Sequence, residues 1–206
     1  MKIAVVGSGI SGLGEAWLLS EKHEVHLYEA DSRLGGHAHT VDALEGSTKI
    51  PVDTGFLVYN ELTYPNLIGF FKELGVETLG SDMSLSIMAK KDNLEWAGNN
   101  FNSIFGQRKN LLSPGFYYML YEIIRFGREA ESNLAAARRH AWTLGELLEK
   151  RHYSKRFLNH YLLPIGAAIW STPEGEMLSF PAETFINFFI NHKLLQVNDR
   201  PQWRTV

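Results

Sequence analysis

Short apolar runs and helical stripes alternate along the 206-residue chain, and their spacing predicts the elements. Ile3 to Val6 is an apolar, β-branched run that suits a buried parallel strand. Leu13 to Glu21 carries apolar residues at Leu13, Ala16, Trp17, Leu18 and Leu19 and predicts a helix. Glu24 to Tyr28 is a second strand, so the opening reads strand–helix–strand. Thr40 to Glu45 and Thr48 to Val52 predict a hairpin turning at Glu45-Gly46-Ser47. Asn60 to Leu74 predicts a helix with Pro65 in its first turn, an apolar face of Leu67, Ile68, Phe70, Phe71 and Leu74, and Gly75 as C-cap. Ser84 to Met88 alternates as a half-buried strand, Lys90 to Asn93 turns, and Leu94 to Trp96 returns.

From Pro114 the pattern becomes helical. Phe116, Tyr117, Leu120, Ile123, Ile124 and Gly127 are spaced for a broad buried face. Thr143 and Glu146 fit a capping box, and the helix they open runs through Leu147, Leu148 and Arg151. A further helix starts near Ser154 and carries Phe157, Tyr161 and Leu162 toward Pro164. The segment Pro164 to Trp170 is small and apolar, Ser171-Thr172-Pro173 ends it, and Ala182 to Leu194 is a last, phenylalanine-rich helix. Aromatic stripes at helical spacing are usually core. Two other uses stay open for them: lining for an apolar substrate, or a patch that touches a membrane surface.

The chemistry sits where the first strand ends. Gly7, Gly9 and Gly12 have the G-x-G-x-x-G spacing, directly after a strand and before a helix. Gly7 suits the tight turn, Gly9 the approach of a backbone to a pyrophosphate, and Gly12 close helix–strand packing. With Ile10 and Ser11 they open a helix whose free N–H groups suit phosphate. Glu29 ends the second strand, where a carboxylate can accept from a ribose diol. Then come Ala30, Arg33, Gly35, Gly36 and His37. Paired glycines allow close backbone approach, and the Arg33 guanidinium suits a phosphate or carboxylate, or an ion pair with Glu29 or Asp31. His37 and His39 have no cysteine or acidic cluster beside them, so no metal site is assigned. Asp53-Thr54-Gly55-Phe56 reads as an Asx-type turn with Gly55 at positive φ.

This series, a dinucleotide fingerprint, an acidic strand end and then Arg33-x-Gly35-Gly36, resembles the flavin-containing amine oxidase superfamily, which includes monoamine oxidases, protoporphyrinogen oxidases and phytoene desaturases. The resemblance covers most of the chain. It implies FAD as cofactor, with the Arg33 to Gly36 loop along the pyrophosphate and ribityl chain, and Thr54, Gly55 and Phe56 near the isoalloxazine. It implies an α/β fold: an incomplete FAD-binding, Rossmann-like βαβ unit over 1–80 and a mixed, largely helical portion of a substrate domain over 81–206. Members of that family return to the nucleotide-binding domain after the helical cap. The chain therefore reads as an amino-terminal portion of a longer flavoprotein, with apolar surface left uncovered or covered in a homo-oligomer. The implied reaction is oxidation of an organic, apolar small molecule by hydride transfer to flavin. An NAD-binding dehydrogenase and a nucleotide-binding module without turnover are the alternatives, and Glu29 would repel the 2′-phosphate of NADP. No catalytic residue beyond the flavin can be assigned.

Composition narrows the rest. A formal net charge of -3 without a basic stripe argues against nucleic acid as partner. No cysteine is present, which excludes disulfides and thiolate chemistry and fits a reducing compartment. The amino-terminal apolar run is too short for a signal peptide and no stretch approaches a membrane span, so a cytoplasmic location is the expectation.

Overall fold

Strand β1 (Lys2–Val6) pairs in parallel with β2 (Glu24–Tyr28), Lys2 opposite Glu24 and Val6 opposite Tyr28. Helix α1 (Ile10–Ser20) connects them. It starts at Ile10, ahead of the predicted Leu13, because Gly9 takes the extended N-cap conformation. Strands β3 (Thr40–Glu45) and β4 (Thr48–Asp53) form the predicted hairpin, with Gly46 at φ +63° in the turn. The computed structural model describes residues 1–55, 57–195 and 201–206, and only the backbone of Glu174.

The chain separates into two units, Met1–Val58 with Thr205, and Tyr59–Arg204 with Val206. The break falls before the 80/81 boundary drawn from sequence, and packing explains why. Strand β5 (Tyr59–Asn60) and helix α2 (Pro65–Leu74) belong to the second unit: the Tyr59 ring meets Phe71 at 5.5 Å, and the Tyr64 hydroxyl is 3.2 Å from His192 Nε2. The helix begins at Pro65, after the predicted Asn60. The Asn60 side-chain oxygen instead accepts from the Leu62 and Thr63 amides, each at 3.0 Å, which closes a turn in place of a helical one. Gly75 ends the helix at φ +66°, as its position predicts.

Next follow β6 (Leu79–Ser81), β7 (Ser86–Ala89) and β8 (Leu94–Ala97), the last two antiparallel. A short helix α3 (Phe101–Ile104) and a 3-10 turn (Arg108–Leu112) lead into the helical body. That body is α4 (Pro114–Arg128), α5 (Ala130–His140), α6 (Leu144–Lys150), α7 (Lys155–Phe157), a π turn (Leu158–Leu162), α8 (Leu163–Trp170), α9 (Glu174–Met177) and α10 (Ala182–Asn191). A terminal strand β9 (Trp203–Thr205) lies between β5 and β6.

The core of this unit is aromatic: Phe116, Phe126, Phe157, Phe185 and Phe189 are fully buried, with Leu144, Leu147, Leu162 and Ile186 among them. Gly166 makes room for α9 and α10, since a Cβ there would sit 2.9 Å from Met177 and 3.0 Å from Phe185. On α4 the buried stripe is Phe116, Met119, Glu122 and Phe126. Tyr117 and Ile124, assigned to the buried face by their spacing, are about half exposed. The stripe turns because it carries a carboxylate: Glu122 is fully buried, accepts from the Ser154 amide at 2.8 Å and from its hydroxyl, and so pins the cap of α7. Ser154 Oγ in turn accepts from the Phe157 amide at 3.1 Å.

The capping box of Thr143 and Glu146 forms as its spacing predicts. Helix α5 has no strong sequence signal, because it buries mainly Ala130, Asn133, Leu134 and Ala137 rather than a large apolar stripe. Helix α10 stops at Asn191, short of Leu194, where Lys193 turns to φ +52°. Pro164 sits inside the continuous run from α7 to α8. It has no N–H to give the His160 carbonyl four residues back, and the buried Trp96 indole donates to that carbonyl instead, at 3.2 Å.

Candidate dinucleotide site

Glycine chemistry shapes the first unit. Gly7 leaves β1 at φ +95°, and its amide donates to the Tyr28 carbonyl at 2.7 Å. A Cβ on Gly12 would lie 1.9 Å from the Gly7 carbonyl oxygen, so only glycine lets α1 start this close to the strand. Gly9 differs: a Cβ there would meet nothing within 4 Å. No side chain caps α1, so the N–H groups of Ile10, Ser11 and Gly12 have neither an intrahelical nor a side-chain acceptor. The helix start is therefore an electropositive surface with open space in front of Gly9.

A second glycine loop lies against the first. Gly35 and Gly36 have φ of +108° and +59°. The Gly35 amide donates to the Ser8 carbonyl at 2.9 Å, and a Cβ on Gly36 would fall 2.8 Å from Gly9 Cα. Arg33 holds this loop from within. Its guanidinium donates to the carbonyls of Gly36 at 2.6 Å, Ala38 at 3.1 Å and Leu34 at 3.4 Å. Those contacts use three of its five N–H groups, and neither Glu29 nor Asp31 is among the acceptors.

The third segment follows β4. The Thr54 amide and hydroxyl donate to the His39 carbonyl at 2.8 and 3.0 Å. A Cβ on Gly55 would stand 1.8 Å from the His37 carbonyl oxygen. Gly55 does not have the positive φ expected of it; close approach to His37, not turn geometry, requires glycine. The Asp53 side chain accepts from Thr40 Oγ1 at 2.5 Å, which ties β4 to β3 in place of an Asx turn. Phe56 lies outside the described residues. Gly7, Gly9, Ile10, Ser11, Gly12, Gly35, Gly36, His37, Thr54 and Gly55 thus come from three loops in backbone contact.

Ser8 is the residue that sequence reasoning passed over. It is fully buried, and its amide and hydroxyl donate to Glu29 Oε2 at 2.7 and 2.5 Å. Glu29 Oε1 accepts from the Asp31 amide at 2.9 Å. The Ser8 hydroxyl first, then the Asp31 and Ser8 amides, hold the Glu29 carboxyl at about 2, so it is anionic at neutral pH. A carboxylate offers roughly four lone-pair sites. Three are used by the Ser8 hydroxyl and the Ser8 and Asp31 amides, and the Ala30 amide also bears on the carboxylate, so Glu29 chiefly braces the loop. Ala30 follows on the exposed side of that strand end. Among the described residues no cluster of histidine and carboxylate side chains could hold a metal.

Residues 5–74 match the family profile of the NAD(P)-binding Rossmann-like domain. Solved structures extend the likeness over the whole chain. A triple mutant of putrescine oxidase superposes with a TM-score of 0.65 at 19% identity, over 100% of this chain and 46% of that one. The putrescine-bound wild type gives 0.62 at 18%, over 100% and 47%. Cyclohexylamine oxidase from Brevibacterium oxydans IH-35A gives 0.63 at 20%, over 99% and 45%. The fold is therefore that of amine oxidases, and the chain spans less than half the length of these solved chains. No curated protein matches the chain.

Among the described residues no helix is long and apolar enough to cross a membrane.

Proposed function

We propose that this chain is the dinucleotide-holding and substrate-facing portion of an FAD-dependent oxidoreductase of the amine oxidase type. One observation carries the reading: the Gly35-Gly36 loop packs directly on the Gly9 turn, in front of an uncapped helix start. FAD, when bound, supplies the redox chemistry by accepting a hydride equivalent from an organic substrate. The chain's own residues do the holding. The amides of Ile10, Ser11 and Gly12 donate to the pyrophosphate, where the helix dipole favours negative charge. Glu29 would sit at the adenosine ribose, where a carboxylate can accept from its diol. Arg33 would keep the Gly35-Gly36 loop shaped for the ribityl region through its bonds to the loop carbonyls. Thr54 and Gly55 would line the isoalloxazine end, and His37 would stand near the flavin or its phosphates.

The substrate is an apolar organic molecule. Primary amines are the first class to try, since the similar solved structures include one bound to putrescine and one named for cyclohexylamine. The test is the visible spectrum of the purified chain after FAD is added and the excess removed, followed by anaerobic addition of amines. Retained flavin absorbance, bleached by an amine, supports the proposal. Tight binding of NAD with no affinity for flavin would overturn it.

A further inference from the structure

One buried histidine lies outside the dinucleotide site. His192 follows the last residue of α10 and is 9% exposed. Its ring stacks on Phe188 at 3.9 Å, runs nearly parallel to Trp203 at 6.3 Å and crosses Tyr64 edge to face at 5.7 Å. The neighbours assign both nitrogens. Nδ1 is 2.9 Å from the Phe188 carbonyl, which only accepts, so Nδ1 carries the proton. Nε2 is 3.2 Å from the Tyr64 hydroxyl. Nε2 of a neutral imidazole then has only a lone pair, so Tyr64 donates to it. Burial lowers His192 below its ordinary value, although the bond to Phe188 works the other way, and burial raises Tyr64 above its own. At neutral pH the pair is a phenol hydrogen-bonded to a free base.

Two other tyrosines show the contrast. The Tyr117 hydroxyl donates to the Leu111 carbonyl at 3.2 Å, an amide oxygen of negligible basicity. Tyr153 donates to Glu129 at 3.0 Å, but that carboxylate is already paired with Arg125, also at 3.0 Å. Burial raises Glu129, yet the bonds from Arg125 and Tyr153 outweigh it and hold the carboxyl below its ordinary value, which makes it a weak base. The Arg125 guanidinium also stands 4.5 Å over the Tyr153 ring, where its charge opposes the loss of an electron. Tyr64 has a neutral base instead. Further oxidisable rings adjoin the pair, Tyr59 at 6.4 Å from Tyr64 and Trp203 beside the imidazole.

We infer that Tyr64 and His192 form a one-electron redox site, in which oxidation of the phenol is coupled to transfer of its proton to the imidazole. The oxidant is a hydroxyl radical or another strongly oxidising radical, which takes one electron from Tyr64 and is thereby reduced. The phenolic O–H bond breaks, and its proton moves along the existing hydrogen bond to Nε2. The products are a neutral phenoxyl radical and an imidazolium whose Nδ1–H still bonds the Phe188 carbonyl. Neither side chain has to move. With no base in reach, the positive charge would stay on the oxidised phenol, which holds it far less readily than an imidazole does. Return of one electron and the same proton restores the pair. The site thus draws oxidising equivalents to a ring that is re-reduced without losing an atom, and it works whether or not a dinucleotide is bound.

The experiment oxidises the purified chain by laser flash-quench of ruthenium tris(bipyridine), with its histidines isotopically labelled in nitrogen. Electron paramagnetic resonance of the freeze-trapped sample should show a phenoxyl radical coupled to a histidine nitrogen. Exposed tyrosines such as Tyr118 and Tyr121 are oxidised as well, without that coupling, so the coupling and not the radical yield reads the site. Tyr64→Phe and His192→Gln should each abolish it. Tyr64→Phe keeps the ring and its packing, so its circular dichroism should stay that of the parent, and it carries the test alone where His192→Gln does not fold. A parent radical with no coupling to a histidine nitrogen would overturn the inference. So would a coupling that persists in Tyr64→Phe, which would place the radical on another tyrosine.

Discussion

Two glycines of one motif should respond in opposite ways to the same added methyl group. At Gly12 an alanine Cβ would stand 1.9 Å from the Gly7 carbonyl oxygen and 3.0 Å from its carbon. Both are backbone atoms that cannot rotate away, so the helix must lift off the strand. Overpacking of this kind costs about 1–3 kcal/mol where side chains can yield, and Gly12→Ala should lie at the upper end or beyond. At Gly9 the same methyl meets nothing within 4 Å, and φ of -69° is ordinary for alanine. The loss of glycine at an N-cap then costs under about 1 kcal/mol. The methyl does occupy the space where a pyrophosphate would approach. Displacing contacts from amides to a charged group, each worth about 1.5–3 kcal/mol, should weaken FAD binding roughly ten- to a hundredfold. Thermal unfolding without ligand and a flavin titration on each variant separate the two effects. Gly9→Ala destabilising the free protein as much as Gly12→Ala, or binding FAD as tightly as the parent, would refute the reasoning.

Three further outcomes follow from the same geometry. Glu29 has a folded-state value of about 2 against an ordinary 4.5, so its bracing of Ser8 is fully present above the higher value and is lost as pH falls toward the lower. Amide exchange in the Gly7–Gly12 turn should accelerate over that window, and Glu29→Gln should remove the dependence. Glu122→Ala leaves the half-buried Ser154 amide without its acceptor, and the unfolding free energy should drop by about 1–3 kcal/mol in denaturant titration. Trp96→Phe deprives the His160 carbonyl of the indole donor and should also cost about 1–3 kcal/mol. In a Pro164→Ala background the restored N–H can serve that carbonyl, so the double-mutant cycle should show a coupling of about 1 kcal/mol, and strict additivity would contradict the assignment.

The first unit was legible because its signals are local. A β-branched run, three glycines at fixed spacing and an acidic strand end impose the strand–turn–helix–strand order with little help from distant packing. The Thr143–Glu146 box and the Gly75 cap were legible for the same reason. Tertiary context decided what was misread. The α4 stripe could not be phased without knowing that Glu122 would be buried against Ser154, across 32 residues of chain. Asn60 looked like the start of a helix, yet its side chain satisfies the next two amides and delays it. Ser8 stood unremarked between two conspicuous glycines, and only the fold brings Glu29 to it. Gly55 was expected to serve a turn, and it serves instead the approach of a backbone from another loop.

The apolar surface left on the first unit also has a physical sense. Among its described residues Val5 is the only buried hydrophobic side chain, and Val6 and Tyr28, opposite each other in register, are 84% and 58% exposed. Parallel strands are normally covered on both faces. Val6 and Tyr28 are therefore an apolar pair without cover among the described residues.

The central claim is that three glycine loops form one dinucleotide cradle. Hydrogen–deuterium exchange, followed residue by residue with and without FAD, tests it most directly. The account predicts slower exchange at Ile10, Ser11, Gly12, Gly36 and Gly55 together, at one FAD concentration dependence. Protection confined to one loop, or placed only in the helical unit, would contradict it.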